Sequence, residues 1–200
     1  MKNIRHLTKI SDLSKEELLH IIEVSKDVKQ NPSKYKKALE EKTLLMFFEK
    51  PSLRTRISFE VAMTQLGGHG IYYNISTSPL GIKENVHDTA KCISRYCNMI
   101  LARVMKQETI LELKRYADVP VINGLDDFAH PTQIISDLFT IQEKLKIGFN
   151  KLKLAYFGDL KNNVTYDIMR ACAILDIECV ISGPIAEDYE VEHRGKKFFF

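Results

Sequence analysis

The chain alternates between short apolar runs and longer amphipathic segments. The apolar runs have the length of buried strands and lie at residues 43–48, 70–75, 99–102 and 119–122. The amphipathic segments carry apolar residues at helical spacing and lie at residues 12–30, 57–66, 84–97, 108–117 and 131–144. Strands that alternate with helices of this length predict right-handed βαβ units. We therefore expect an α/β fold, with a parallel sheet flanked by helices on both faces.

The alternation restarts after a polar, glycine-containing stretch at residues 144–151. This stretch predicts a linker, so we expect one domain over residues 1–146 and the start of a second over residues 147–200. The predicted elements of the second domain are a strand at 152–157, a helix at 163–175 and a strand at 179–182. Two strands form too small a sheet to bury both faces. We therefore expect the second α/β domain to be incomplete and the chain to be truncated within it.

Composition excludes several classes of protein. Hydrophobic residues make up 44% and charged residues 28% of the 200 residues, which is typical of globular and not of disordered chains. No apolar run approaches the ~18 residues of a membrane span, and the charged N-terminus is unlike a secretory signal. A net charge of +3 is too small to indicate nucleic acid binding but suits a small anionic substrate. We expect a cytoplasmic protein whose four cysteines are reduced and, by their spacing, hold no metal.

Ligands of parallel sheets bind beyond the carboxyl ends of the strands, so the loops there are the places to search. The first such loop reads FEKPSLRTR over residues 48–56. Hydroxyls from Ser52 and Thr55, the guanidinium of Arg54 and the free N–H groups of a helix start predict a phosphate site. A serine-capped helix with two solvated arginines explains the same residues equally well.

Three later loops add candidates. Arg103 directly follows an apolar strand, although such arginines often only mark where solvent begins. His130 stands at a helix start before Pro131, where the helix dipole favours a neutral ring, and Gln133 follows one turn later. Asn163 begins a further helix and suits a carboxylate or amine ligand. Capping by the His130 and Asn163 side chains is the structural alternative.

Taken together, these loops resemble a known family. The segments FEKPSLRTRISFE at 48–60, ILAR at 100–103 and HPTQ at 130–133 are similar, in this order, to the aspartate/ornithine carbamoyltransferases. The resemblance extends over residues 1–193. FEVAMTQLGGH, VPVINGLDDFAHPTQ and GDLKNNVTYDIMR resemble the ornithine branch of that family. Leu53 and Pro79 depart from it, because the family more often has threonine and glutamine there.

The resemblance implies a two-domain enzyme that transfers the carbamoyl group of carbamoyl phosphate to the δ-amine of L-ornithine, giving L-citrulline and phosphate. It implies Arg54, Arg103 and His130 as the catalytic residues. The substrate-binding residues that it implies are Ser52, Leu53 through its backbone, Arg54, Thr55, Lys83, Arg103, His130, Pro131, Thr132, Gln133 and Asn163. It also implies a homotrimer in which Lys83 reaches a neighbouring subunit's site, with no cofactor.

Two other functions remain open at this point. One is transfer to aspartate or putrescine, since the segments that distinguish the acceptor lie in the family's later motifs. The other is a non-catalytic carbamoyltransferase remnant that only binds phosphate or a partner subunit. Because those later motifs are absent from residues 1–200, we expect weak binding of carbamoyl phosphate and negligible turnover of ornithine.

Overall fold

The computed structural model describes residues 4–75 and 85–184. The helices in this part are Lys15–Gln30 (α1), Leu53–Gln65 (α2), Val86–Ile93 (α3), Gln107–Tyr116 (α4), Pro131–Leu145 (α5) and Asn163–Leu175 (α6). The strands are Thr43–Phe48 (β1), His69–Asn74 (β2), Met99–Arg103 (β3), Val121–Leu125 (β4), Lys153–Phe157 (β5) and Glu178–Ser182 (β6). Within the described residues, no helix combines the length and the apolar character that crossing a bilayer requires.

The first four strands form one parallel sheet in the order β2-β1-β3-β4. Alternate residues of β1 point to opposite faces, so Leu45 and Phe47 pack with α3 and α4 on one side. Leu44, Met46 and Phe48 pack on the other side, together with Met63 of α2. Helices therefore cover both faces, which confirms the expected α/β fold and explains why β1 is an unbroken apolar run.

One element boundary differs from the sequence prediction in the region of the candidate loops, whereas the start of α2 does not. Helix α2 begins at Leu53 with Ser52 as its cap, which agrees with the helix start predicted in the 48–56 loop, although helical apolar periodicity is visible only from residue 57. Strand β4 continues through Asn123 and Gly124 to Leu125 instead of closing before them. The ladder between β3 and β4 shifts register between Ala102 and Arg103, so Gly124 lies in an irregularity of the strand. Bulges of this kind redirect neighbouring side chains.

Strands β5 and β6 form a second parallel sheet, onto which α6 packs. Its apolar core is shared with the first part of the chain: Leu18 of α1 and Ile134 of α5 belong to the same buried cluster as Met169 and Ile181. Helices α1 and α5 therefore share one hydrophobic cluster with the second sheet and α6, and this cluster crosses residue 146, whereas the strands of the first sheet pack in separate clusters. The boundary between residues 146 and 147 stays a prediction.

Candidate functional site at the carboxyl edge of the first sheet

The loop after β1 is organised by Ser52. Its side chain is the N-cap of α2, accepting a hydrogen bond from the Thr55 N–H at 3.4 Å, and its hydroxyl lies 3.1 Å from Thr55 Oγ1. Ser52 therefore caps the helix, as the structural alternative predicted. Both hydroxyls nevertheless lie at the helix start, where the free N–H groups create positive potential. Leu53 begins the helix with 74% of its surface exposed, so its side chain fills no core position.

The two arginines of this loop have different surroundings. The guanidinium of Arg56 lies 3.9 Å from the ring centroid of Tyr72, and its Nε is 3.3 Å from Glu60 Oε2. Arg56 is thereby engaged by side chains of β2 and α2. Arg54 is exposed and makes no hydrogen bond or ion pair with residues 4–75 or 85–184. Arg54 interacts electrostatically with Arg103: together with burial, which is the larger cause, its positive charge lowers the pKa of Arg103.

Arg103 ends β3 between two neighbouring strand ends. It is paired in register with Phe48 of β1 and with Leu125 of β4. Its Nε is buried and has no hydrogen-bond partner among the described residues. Burial lowers the pKa of this guanidinium, and the nearby charge of Arg54 lowers it further. A buried donor without an acceptor is costly, and here it belongs to a cation that lies close to another cation.

His130 precedes α5 and lies close enough to Arg103 to be affected by its charge. Burial lowers the pKa of His130 from 6.5 to about 4, and Arg103 adds to this effect. The expected neutral imidazole is thus supported, with burial as the principal cause. The ring makes no capping hydrogen bond to α5, so the capping alternative is wrong for His130. Thr132 Oγ1 lies 3.3 Å from His130 Nδ1.

Two acidic residues without a sequence-based role hold the loop after β3. The backbone N–H of Glu49 donates to the Arg103 carbonyl at 2.9 Å, and Glu49 Oε2 accepts from the Met105 N–H at 2.7 Å. Asp127 Oδ1 accepts from the Gln107 N–H at 2.9 Å. The loops after β1, β3 and β4 are therefore tied to one another by carboxylates that bond to backbone.

A buried polar pair shapes the loop between β4 and α5. Asp126 accepts hydrogen bonds from the N–H groups of Phe128 and Ala129 at 2.7 and 2.6 Å. Asn123 Nδ2 donates to Asp126 Oδ2 at 2.9 Å and to the Thr8 carbonyl at 2.8 Å. Burial raises the pKa of Asp126. The sequence contained a signal for this pair, because a buried strand that ends in Asn-Gly-Leu-Asp needs polar partners there.

The remaining predicted site residues lie around this cluster. Pro131 is the buried first residue of α5. Gln133 is exposed and its Nε2 donates to Asp137 Oδ1 at 2.8 Å, so its amide is not brought to His130 in this structure. Asn163 Nδ2 donates to the Asp126 carbonyl, and the cap of α6 is Asn162, so the capping alternative for Asn163 is wrong. Lys83 and Pro79 lie outside the described residues.

No group of three or more His, Cys, Asp or Glu side chains in residues 4–75 and 85–184 is arranged to hold a metal ion. The cysteines in this part are free thiols, three of them buried. The chemistry available at this edge of the sheet therefore consists of hydroxyls, two guanidinium groups, a neutral imidazole and helix N–H groups. These groups suit a compact anion with a carbonyl attached.

Comparison with known proteins identifies the family. Residues 5–143 match the family model described as the carbamoyl-P binding domain of aspartate/ornithine carbamoyltransferase. The chain belongs to the aspartate/ornithine carbamoyltransferase family. The match covers the whole four-stranded sheet and every candidate residue except Asn163.

Individual relatives of this carbamoyltransferase chain agree. A catabolic ornithine carbamoyltransferase of Halobacterium salinarum is 40% identical over 193 residues, covering 96% of this chain and 64% of the relative. A putrescine carbamoyltransferase of Mycoplasma capricolum is 41% identical over 197 residues, covering 92% and 53%. The X-ray structure of ornithine transcarbamoylase from Giardia lamblia superposes with a TM-score of 0.87 at 46% identity, covering 96% and 62%. The chain thus spans less than two thirds of the length of these relatives.

Proposed function

We propose that this protein is an ornithine carbamoyltransferase. Such an enzyme transfers the carbamoyl group of carbamoyl phosphate to the δ-amine of L-ornithine and gives L-citrulline and phosphate. One observation carries the proposal most directly. Arg103 is a half-buried cation whose Nε has no hydrogen-bond partner among the described residues, and it lies close enough to Arg54 and to His130 to interact electrostatically with both. A dianionic acyl phosphate would satisfy both guanidinium groups, and its carbonyl would lie between Arg103 and His130.

The phosphate end of the substrate is assigned to the start of α2. We propose that the Ser52 and Thr55 hydroxyls, the Leu53 backbone N–H and the Arg54 guanidinium bind the phosphate oxygens. Support comes from the capping geometry of Ser52, which leaves these groups together at one helix terminus. Anions bind favourably there because the helix dipole and the free N–H groups act in the same direction.

The carbamoyl end is assigned to Arg103 and His130. We assign the proton of the neutral imidazole to Nε2, with Nδ1 accepting from the Thr132 hydroxyl 3.3 Å away, so that Nε2–H can donate to the carbamoyl oxygen. The ornithine amine attacks the carbonyl carbon, and a tetrahedral oxyanion forms that Arg103 and His130 stabilise. The bond between that carbon and the phosphate oxygen then breaks, phosphate leaves with its electron pair, and the attacking nitrogen loses a proton. Gln133 is proposed to bind the carbamoyl amine.

The acceptor is the less constrained half of the proposal. Asn163 is proposed to bind ornithine, and its position is supported by the contact that joins its amide to the Asp126 carbonyl beside the His130 loop. Relatives of similar identity carry ornithine and putrescine in their names. Transfer to putrescine is therefore the second candidate function, since both acceptors present a primary amine on an aliphatic chain.

We further propose that the active form is a homotrimer in which Lys83 reaches a neighbouring subunit's site, and that the protein is cytoplasmic. The 200-residue chain spans 64%, 53% and 62% of the three relatives described above. For this chain on its own we therefore propose weak carbamoyl phosphate binding and little or no turnover.

Two measurements on the purified chain test the proposal. Calorimetric titration with carbamoyl phosphate should give saturable binding, and phosphate release should then be followed with L-ornithine, putrescine or L-aspartate present. Absence of carbamoyl phosphate binding would sink the proposed function. Phosphate release with putrescine but not ornithine would replace the acceptor, and citrulline formation at the rate of a full-length relative would contradict the proposed impairment. Binding without turnover on any acceptor fits the impaired chain and, equally, a non-catalytic remnant.

A further inference from the structure

Asp167 is a fully buried carboxylate that the proposed reaction does not use. It lies on α6, in the part of the chain beyond residue 146, and its side chain is 0% exposed. Three donors surround its two oxygens. The His130 N–H donates to Oδ2 at 2.8 Å, while the Ile10 N–H and Arg170 Nη1 donate to Oδ1 at 3.2 and 2.9 Å. A buried carboxylate with three donors is a fixed structural centre.

Arg170 extends this centre to the loop that carries His130. Its Nη1 also lies 3.3 Å from the Phe128 carbonyl, and its guanidinium stacks 4.2 Å from the centroid of the Phe128 ring. The Asn163 amide donates to the Asp126 carbonyl in the same loop. Side chains of helix α6 therefore bond to three backbone groups of the loop between β4 and α5, namely the carbonyls of Asp126 and Phe128 and the N–H of His130.

We propose that Asp167, held by Arg170, is a positioning residue that fixes the His130 imidazole against the carbamoyl group. The proposal rests on the proposed function, because it assigns Asp167 a role at the same site. Under this proposal, a residue that positions His130 for the ligand of the first sheet lies on α6, the helix that packs on the second sheet. Asp167 acts through the backbone of His130 and touches no substrate.

The geometry predicts what an isosteric change does. In Asp167→Asn the amide has one acceptor oxygen and one NH2 group, while the site contains donors on both sides. The oxygen satisfies the side with two donors, Ile10 and Arg170, so the NH2 group opposes the His130 N–H. That repulsion displaces the backbone of His130 and leaves the helix start at Ser52 and Arg54 unchanged.

Two ligands separate positioning from general stability. Inorganic phosphate is expected to engage the start of α2 and Arg103, whereas carbamoyl phosphate also engages His130. We expect Asp167→Asn to weaken carbamoyl phosphate binding about tenfold and to change inorganic phosphate binding by less than about twofold. Asp176→Asn is the matched control: it is the same change at the end of the same helix, where the carboxylate pairs with Lys15 at 2.8 Å. It should alter neither affinity.

A double variant tests whether Asp167 acts through His130. If it does, Asp167→Asn should weaken carbamoyl phosphate binding no further in a His130→Ala background. Arg170→Lys provides a second route, because it keeps the charge beside Asp167 but removes the planar group stacked on Phe128. It should lower carbamoyl phosphate affinity selectively, by about threefold.

The outcomes are distinct. Selective loss of carbamoyl phosphate affinity, absent in the His130→Ala background, supports the proposal. Equal losses for both ligands, no loss, or full additivity with His130→Ala would overturn it and leave the proposed function intact. If Asp167→Asn does not fold, the same comparison in Arg170→Lys decides. If the unmodified chain does not bind carbamoyl phosphate, the proposed function fails and the positioning role fails with it.

Discussion

Ser52, Arg54 and Thr55 lie within four consecutive residues at the start of one helix, whereas Arg103 ends β3 and His130 directly precedes α5. The first group is exposed or half-buried and is held by local contacts. The second is desolvated and depends on Glu49, Asp126 and, across the chain, Asp167. In the proposed site, the residues for the phosphate group therefore come from one local segment, whereas the residues for the carbamoyl group are positioned by tertiary contacts. We expect mutations at the two ends to differ in what they disturb.

The largest effect is expected at the phosphate end. Arg54→Ala should weaken carbamoyl phosphate and inorganic phosphate equally, by about 100-fold, because both ligands lose the same charge-assisted contact. Arg56→Ala is the matched control two residues later, where the guanidinium is engaged by Tyr72 and Glu60. Calorimetric titration of both ligands measures the effect. Equal losses in the two variants would mean that general positive potential, and not a positioned guanidinium, binds the phosphate.

Arg103 should show opposite effects on binding and stability. Arg103→Met removes a buried donor that has no acceptor in residues 4–75 and 85–184, and a cation that lies near Arg54. We expect carbamoyl phosphate affinity to fall at least tenfold and the free energy of unfolding to rise by about 1 kcal/mol. Urea denaturation without ligand measures the change in the free energy of unfolding. Arg115→Met, on the exposed last turn of α4, should change neither quantity. A destabilised Arg103→Met would show that the fold needs this guanidinium for its own packing.

The difference between the two ends also explains which parts could be predicted from the sequence. The helix start at Ser52 and the strands β1 and β3 were predicted well, because apolar runs and helix-start chemistry are local patterns. The register irregularity at Arg103 and the extension of β4 through Gly124 could not be predicted, since both depend on neighbouring strands. The sequence predicted a neutral His130 from the helix dipole, but the principal cause of its lowered pKa, burial, could not be predicted.

Asp167 and Arg170 show the same limit more sharply. A charged pair three residues apart in an otherwise uncharged helix was a signal in the sequence, but an exposed ion pair would produce the same signal. Only the fold shows that Asp167 is fully buried and that its partners are the backbone groups of residues 10 and 130. Sequence patterns therefore identify which residues can do chemistry, and long-range contacts determine how they are held.

The lowered pKa of His130 predicts how the stability of the protein depends on pH. Its pKa is about 4 in the folded chain against about 6.5 unfolded, so between these values the unfolded chain binds more protons. Stability should therefore fall as the pH falls through this window. From pH 7 to pH 5 the free energy of unfolding should fall by about 2 kcal/mol more than in His130→Gln, which has no titrating ring. Urea denaturation at both pH values measures this. Parallel profiles in the two proteins would mean that His130 is not desolvated.

The smallest effect tests whether Ser52 does more than cap its helix. Ser52→Ala should cost about 1 kcal/mol of unfolding free energy as a lost N-cap, and it should weaken inorganic phosphate binding about threefold through the lost hydroxyl. Ser14→Ala removes an equivalent cap from α1, where Ser14 accepts from the Glu17 N–H at 3.2 Å. The two variants should lose similar stability, while only Ser52→Ala loses phosphate affinity. If phosphate affinity is unchanged in Ser52→Ala, the hydroxyl serves the helix alone, and the phosphate end consists of Arg54, Thr55 and backbone N–H groups.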